Sequence, residues 1–141
     1  NDVGLLCAAC MENIQFDLLM GNMDVNMGSI LENVFAQNLK SNGFELRYFD
    51  SKKVGELDFV LQRGVSAEVV EIKSGSDYKK HLAMDHAVKT ENWKFGNCIV
   101  FSKSNVEEEN GILYLPWYMV IFYRQEVPQE QLIYKIDLSG L

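Results

Sequence analysis

The 141-residue sequence is short of several things, and each shortage narrows the reading. Its three cysteines, Cys7, Cys10 and Cys98, are too few and odd in number for a disulfide framework, which fits a reducing compartment. Cys7 and Cys10 have the spacing of a zinc or redox pair, but zinc needs two further ligands and only Cys98, His81 and His86 are on offer. Two cysteines three apart in an apolar stretch more often fill one buried helix face. With two prolines, Pro116 and Pro128, and no repeat, low-complexity tract or Pro/Gly-rich linker, the chain has no compositional break. No apolar run reaches the ~18 residues of a membrane span, and Asn1 to Leu6 lack the basic start of a secretory signal. A cytoplasmic protein with no membrane partner is expected. Excess positive charge is missing too: 13 basic against 20 acidic residues give a formal net charge of -7. The whole molecule repels a phosphate backbone, so any nucleic-acid contact must be local or borrowed from a partner. There is no GxxxxGKS/T loop either, since Lys73-Ser74-Gly75 follows a strand-like run without glycines to cradle phosphates. That sets nucleotide hydrolysis by this chain aside.

What is present is enough apolar residue, 48% with 11% aromatic, for one core. Periodicity predicts a helix over residues 3–20 stopped by Gly21-Asn22, and a second over Met27 to Lys40 stopped by Ser41-Asn42-Gly43. On the second, Ile30, Leu31, Val34, Phe35 and Leu39 form one stripe, and Glu32 falls about 20° from Leu39 at its edge. Glu32 therefore reads either as a residue looking along the buried face or as a solvated acid in the first turn, favoured there by the helix dipole. Three strand-like runs follow: Phe44 to Phe49, Glu56 to Gln62 and Ser66 to Lys73, with connectors short enough for hairpins. Alternation sends Leu57, Phe59 and Leu61 one way and Glu56, Asp58 and Val60 the other, and sets Glu71 and Lys73 on a face with Val69. A helix over Tyr78 to Thr90, strands at Asn97 to Phe101 and Ile112 to Leu115, and an apolar continuation from Trp117 to Phe122 behind Pro116 complete the pass. Residues 1–26 thus form an N-terminal helical segment, 27–125 an αβββαβ core, and 126–141, where Gln131 to Leu138 alternates, a last strand or docked tail. The chain lacks a starting Met and its apolar pattern is under way at Val3, which leads to the expectation that it was cut from a longer polypeptide. The mass of the intact protein tests this.

Two pieces carry chemistry, Gly55-Glu56-Leu57-Asp58-Phe59-Val60 and Glu68-Val69-Val70-Glu71-Ile72-Lys73-Ser74-Gly75. If their strands pair as a hairpin, Asp58, Glu71 and Lys73 face one spot. Phosphodiester hydrolysis asks for such a set: hard divalent cations, Mg2+ or Mn2+, take oxygen ligands and neutralise charge on the transferring phosphate. Asp58 and Glu71 would hold the ion, Lys73 would position or deprotonate the attacking water, and Glu32 would complete the site from the helix. The bland alternative is a cross-strand ion pair between Asp58 and Lys73 on a solvated face.

Met27 to Phe35, followed by Gly55 to Val60 and Glu71 to Gly75, resembles the C-terminal domain of unknown function found behind AAA-type P-loop ATPase domains in bacteria and archaea. Asp2-Val3-Gly4-Leu5-Leu6 and Tyr114-Leu115-Pro116-Trp117-Tyr118 resemble its opening and closing motifs. That domain is similar in turn to PD-(D/E)XK nucleases. The resemblance implies an α/β fold with a restriction-endonuclease-like core, a mixed central β-sheet flanked by helices, as one domain over residues 1–141 of a longer ATPase chain. It also implies Asp58 as the metal-binding aspartate, Glu71 as the second acid, Lys73 as the motif lysine and Glu32 as the helix-borne acid, with Glu56 as an extra ligand or a spectator. The proline of the superfamily's name is Leu57 here. Of the nearby basic residues, Lys52, Lys53, Lys79, Lys80 and His81, the last three are the candidates for guiding a substrate phosphate, set against the acidic run Glu107-Glu108-Glu109. The implied partners are an AAA-type ATPase domain and nucleic acid, with oligomerisation left open. The same fold without activity, as an adaptor for protein or DNA docking, is the competing expectation.

Overall fold

The computed structural model describes residues 20, 27–90 and 95–125. Helix α1 spans Met27–Ser41 and buries Ile30, Leu31, Phe35 and Leu39 of the predicted stripe, with Val34 half-buried. It ends where Gly43 takes φ +93°, a left-handed conformation that costs glycine nothing. The Phe44 N–H then bonds the Leu39 carbonyl at 3.0 Å and the Gly43 N–H bonds that of Lys40 at 3.1 Å, a Schellman closure. Phe44 folds back into the cluster that holds Leu39, so the chain becomes a strand only at Leu46, two residues later than its alternation predicts.

Strand β1 (Leu46–Ser51) pairs antiparallel with β2 (Gly55–Arg63), and β2 antiparallel with β3 (Ser66–Ile72). After β3 the chain crosses through helix α2 (Leu82–Lys89) to β4 (Phe95–Ser102), which lies parallel to β3. Strand β5 (Glu107–Glu109) and β6 (Ile112–Pro116) form a hairpin whose second strand runs parallel to β4. A 3-10 turn, Trp117–Ile121, closes the described chain behind Pro116. The architecture is α/β, a mixed six-stranded sheet in the order β1-β2-β3-β4-β6-β5. Leu31, Phe35 and Leu39 of α1 and Val120 of the 3-10 turn cover one face of the sheet, while Met84 and Ala87 of α2 cover the other. Among the described residues no helix is long and apolar enough to cross a membrane.

Two expectations need correction. The predicted helix over Tyr78 to Thr90 begins only at Leu82, because Asp77 to Lys80 close a turn of their own and His81 sits at φ -136°, ψ 62°. The acidic run Glu107-Glu108-Glu109, to which the sequence assigns no element, forms an edge strand returned to β6 by Asn110-Gly111 with φ 53° and 77°. Leu57 does not share a face with Phe59 and Leu61: it packs with Met84 and Ala87 on the α2 side, while the other two pack under α1. The β1–β2 register slips between Arg47 and Phe49, and that irregularity flips the alternation at Asp58. Most of the predicted helix over residues 3–20, with Cys7 and Cys10, and the alternating Gln131 to Leu138 lie outside the described residues.

Candidate functional site

The break in β2 sets the site. The β2–β3 ladder runs from Arg63 opposite Ser66 to Phe59 opposite Val70 and stops there. A continued ladder would bring a β2 carbonyl to Ile72. Instead the Asp58 carboxylate takes its place, Oδ2 accepting the Ile72 N–H at 2.7 Å. Asp58 thereby closes the end of the strand pair with a side chain.

Beyond it the chain is held from two sides. The Lys73 N–H donates to the Phe101 carbonyl at 2.9 Å, and the Trp117 indole Nε1–H donates to the Lys73 carbonyl at 3.2 Å. Glu71, opposite Val100 in the parallel pair and 3% exposed, shares the α2 face with Val69 and Val100. Lys73 Nζ lies 2.9 Å from Glu71 Oε2, an ion-pair distance. The approach is off the hydrogen-bond direction, so that buried Oε2 has no hydrogen-bond partner among the described residues. Asp58 feels both residues. Burial, first, pushes its carboxyl up from 3.8 to about 6; the charges of Glu71 and Glu32 add to the rise, while the Ile72 N–H and the Lys73 charge oppose it.

The structure therefore brings Asp58, Glu71 and Lys73 together at one end of β2 and β3, with Glu32, exposed on α1, inside the field of Asp58. The other predicted residues stand in different contacts. Glu56 is exposed and opposite Asp50 across the β1–β2 pair. Lys79 Nζ lies 2.8 Å from Glu107 and 2.6 Å from Glu109, and Lys80 Nζ lies 2.6 Å from Asp77. His81 is buried between Asp85, 2.9 Å from Nδ1, and the Tyr114 hydroxyl, 2.7 Å from Nε2. A carboxylate only accepts, so Nδ1–H donates to Asp85, and in the neutral ring the phenol donates to Nε2. Lys52 and Lys53 are exposed in the turn between β1 and β2.

Sequence reasoning missed two features. One is Trp117 as the group that holds Lys73; no spacing rule signals an indole reaching back 44 residues. The other is Glu68, 1% exposed on the α1 side of β3, bonded by Arg63 at 3.0 Å and by Asn97 and the Tyr123 hydroxyl. An acid between the apolar positions of a central strand, with Arg63 at the hairpin end, was the available signal. Burial and the bond to Glu68 both push the Tyr123 phenol up, and it stays neutral.

The donor set fits a hard cation in part. Glu71 offers a buried oxygen without a hydrogen bond and Asp58 a second carboxylate beside it. Among the described residues no group of three or more His, Cys, Asp or Glu gathers closely enough to hold a metal unaided. Magnesium is commonly held by one or two carboxylates, with water and substrate phosphate oxygens completing its shell, so two donors suffice for that mode of binding. No curated protein and no solved structure matches the chain. A family model described as a domain of unknown function (DUF4143) matches residues 27–120, from the first residue of α1 into the closing 3-10 turn. A match over more than half of the sequence, taking in every described strand, makes this chain a member of the DUF4143 family.

Proposed function

We propose that the chain is a divalent-metal-dependent phosphodiester-hydrolysing module of the PD-(D/E)XK kind, working in a longer protein beside an AAA-type ATPase domain. The observation that carries the reading is Glu71 Oε2: buried, without a hydrogen bond, and adjacent to Lys73 and to the raised carboxyl of Asp58. The Lys73 ammonium offsets part of the cost of burying this oxygen, and a divalent cation shared with Asp58 would supply the directed contact it lacks. The mixed sheet with helices on both faces supports the same reading.

Asp58 and Glu71 would hold Mg2+ or Mn2+. When bound, the ion supplies Lewis-acid polarisation of the phosphate and acidifies a water. The residues do the rest. Ile72 keeps Asp58 Oδ2, which fixes the carboxylate and leaves Oδ1 outside that bond. Asp58 releases its proton above about pH 6 and then offers the ion a charged oxygen. Lys73, its main chain clamped by Phe101 and Trp117, presents Nζ where it steadies a phosphate oxygen or the attacking water. Calorimetric titration with Mn2+ tests this directly. Wild type should bind, Asp58→Ala and Glu71→Ala should lose binding, and Lys73→Ala should keep it while losing at least about a hundredfold in oligonucleotide cleavage. Equal Mn2+ binding by wild type and both carboxylate variants would sink the proposal.

One observation favours a second reading, a catalytically silent adaptor. Asp58 already satisfies a backbone N–H, and Glu71 already has an ammonium beside it, so the trio can act as a strand-end clamp alone. Under that reading wild type shows no saturable Mn2+ binding.

A further inference from the structure

The parallel register of β3, β4 and β6 sets Ile72, Phe101 and Leu115 side by side and Ser102 beside Pro116. The chain leaving these three carboxyl ends therefore brings out Lys73, Lys103 and Trp117 along one rim. Ligands of open α/β sheets bind at this end, where the strands stop and the loops diverge.

Trp117 joins the two lysines. Its Nε1–H holds the Lys73 carbonyl at 3.2 Å, and Lys103 Nζ lies 5.4 Å from the indole centroid. The turn that carries Lys103 is built: Ser102, fully buried, accepts the Ser104 N–H on its hydroxyl at 3.2 Å, and the two hydroxyls lie 2.7 Å apart. Lys103 is exposed and, among the described residues, has no carboxylate within ion-pair distance, whereas Lys79 and Lys80 are tied to Glu107, Glu109 and Asp77. An exposed ammonium parked on an indole face is held weakly, and a phosphate oxygen competes well for it.

We infer that Lys103 is a phosphate-binding residue for a polynucleotide, taking a backbone phosphate next to the one at Lys73, with Trp117, bonded to the Lys73 carbonyl and stacked under Lys103, as the positioning residue that ties the two loops together. This rests on the phosphodiester reading of the Asp58–Glu71–Lys73 site. Lysines 79 and 80, which sequence position favours, are spent on carboxylates; among the described residues of this rim, Lys103 on the next loop has none.

The test is fluorescence anisotropy of a labelled oligothymidylate across a salt series, in EDTA so that cleavage plays no part. Lys103→Gln should weaken binding severalfold at low salt and lower the slope of log K against log[salt] by about 0.7, the loss of one single-strand phosphate contact. Lys103→Arg should restore the slope. Lys89→Gln, an exposed lysine on α2, should leave it unchanged. A Lys103→Gln slope equal to that of wild type overturns the inference, as does a wild type that does not bind. Oligonucleotide binding with the Lys103-dependent slope but without Mn2+ binding would remove the hydrolytic reading and keep Lys103 as the phosphate contact.

Discussion

Asp58 is pulled in two directions: its carboxylate closes the end of β3, and its surroundings resist the charge it carries in doing so. The sign of the consequence follows from linkage. The carboxyl ionises near 3.8 in the unfolded chain and near 6 in the fold, so the folded state holds the proton more tightly. That contribution is fully present below pH 3.8 and is lost as pH rises through 6, leaving ionised Asp58 destabilising at neutral pH. An asparagine keeps the acceptor for Ile72 and never ionises. Asp58→Asn should therefore stabilise the metal-free protein at pH 7.5 by up to roughly 3 kcal/mol, trimmed by partial exposure, with the gain fading below about pH 4. Urea unfolding at several pH values measures it, and a pH-independent effect would mean that burial is not what disfavours the charge. Asp58, Glu71 and Lys73 were legible in the sequence because their spacing on adjacent strand-like runs sets them at one end of a hairpin. The flip of alternation at Leu57 was not, because a register slip is decided by pairing partners rather than by the strand's own residues.

At the level of elements, the segment from Lys73 to Leu82 shows why a helix boundary escaped the periodicity. Tyr78 to Lys80 continue an apparent helical pattern, but Lys79 is drawn to β5 and His81 is buried against β6, and both contacts are non-local. Asn110-Gly111, by contrast, is a local hairpin signal that outweighs the charge of Glu107-Glu108-Glu109. Three consecutive acids suit an edge strand, where charge discourages pairing with another chain. The Asp85–His81–Tyr114 chain fastens the start of α2 to β6, with His81 6% and Tyr114 3% exposed. Tyr114→Phe removes the hydroxyl that pairs with Nε2 and leaves a buried nitrogen unpaired, at a cost of about 1–3 kcal/mol. The denaturant midpoint should fall with an unchanged m-value, and Mn2+ binding should persist in the variant at low denaturant. A second fastening lies at the other end of the sheet. Tyr123 stacks on Phe44, with Arg63 over both rings, and bonds buried Glu68. Tyr123→Phe keeps the stacking and removes one donor of several, so its expected cost is nearer about 1 kcal/mol by the same measurement.

For the whole molecule, the sequence order of helix, three strands, helix and strands made an α/β fold with a mixed sheet legible. The placement of β6 between β4 and β5 was not, since it depends on which buried strand accepts a parallel neighbour. The net charge of -7 was legible and sets the terms for any polyanion. The acids are not spread evenly with respect to the rim that carries Lys73 and Lys103: Glu107 and Glu109 sit on the far edge strand, where they hold Lys79. Those bonds hold the Lys79 ammonium well above its ordinary pKa, so it stays charged and is occupied rather than absent. Replacing both glutamates by glutamine removes two negative charges, taking the formal net charge from -7 to -5, and frees that cation. The double variant should bind the oligothymidylate severalfold more tightly than wild type at low salt, with a steeper salt slope if Lys79 joins the contact. Near 1 M salt, where screening shortens the reach of a charge to about 3 Å, the two proteins should converge. Mn2+ affinity should not change, because neither glutamate belongs to the Asp58–Glu71 pair. Tighter Mn2+ binding alongside tighter oligonucleotide binding would instead trace both effects to the overall field, and the local division of labour between Lys79 and Lys103 would lose its support.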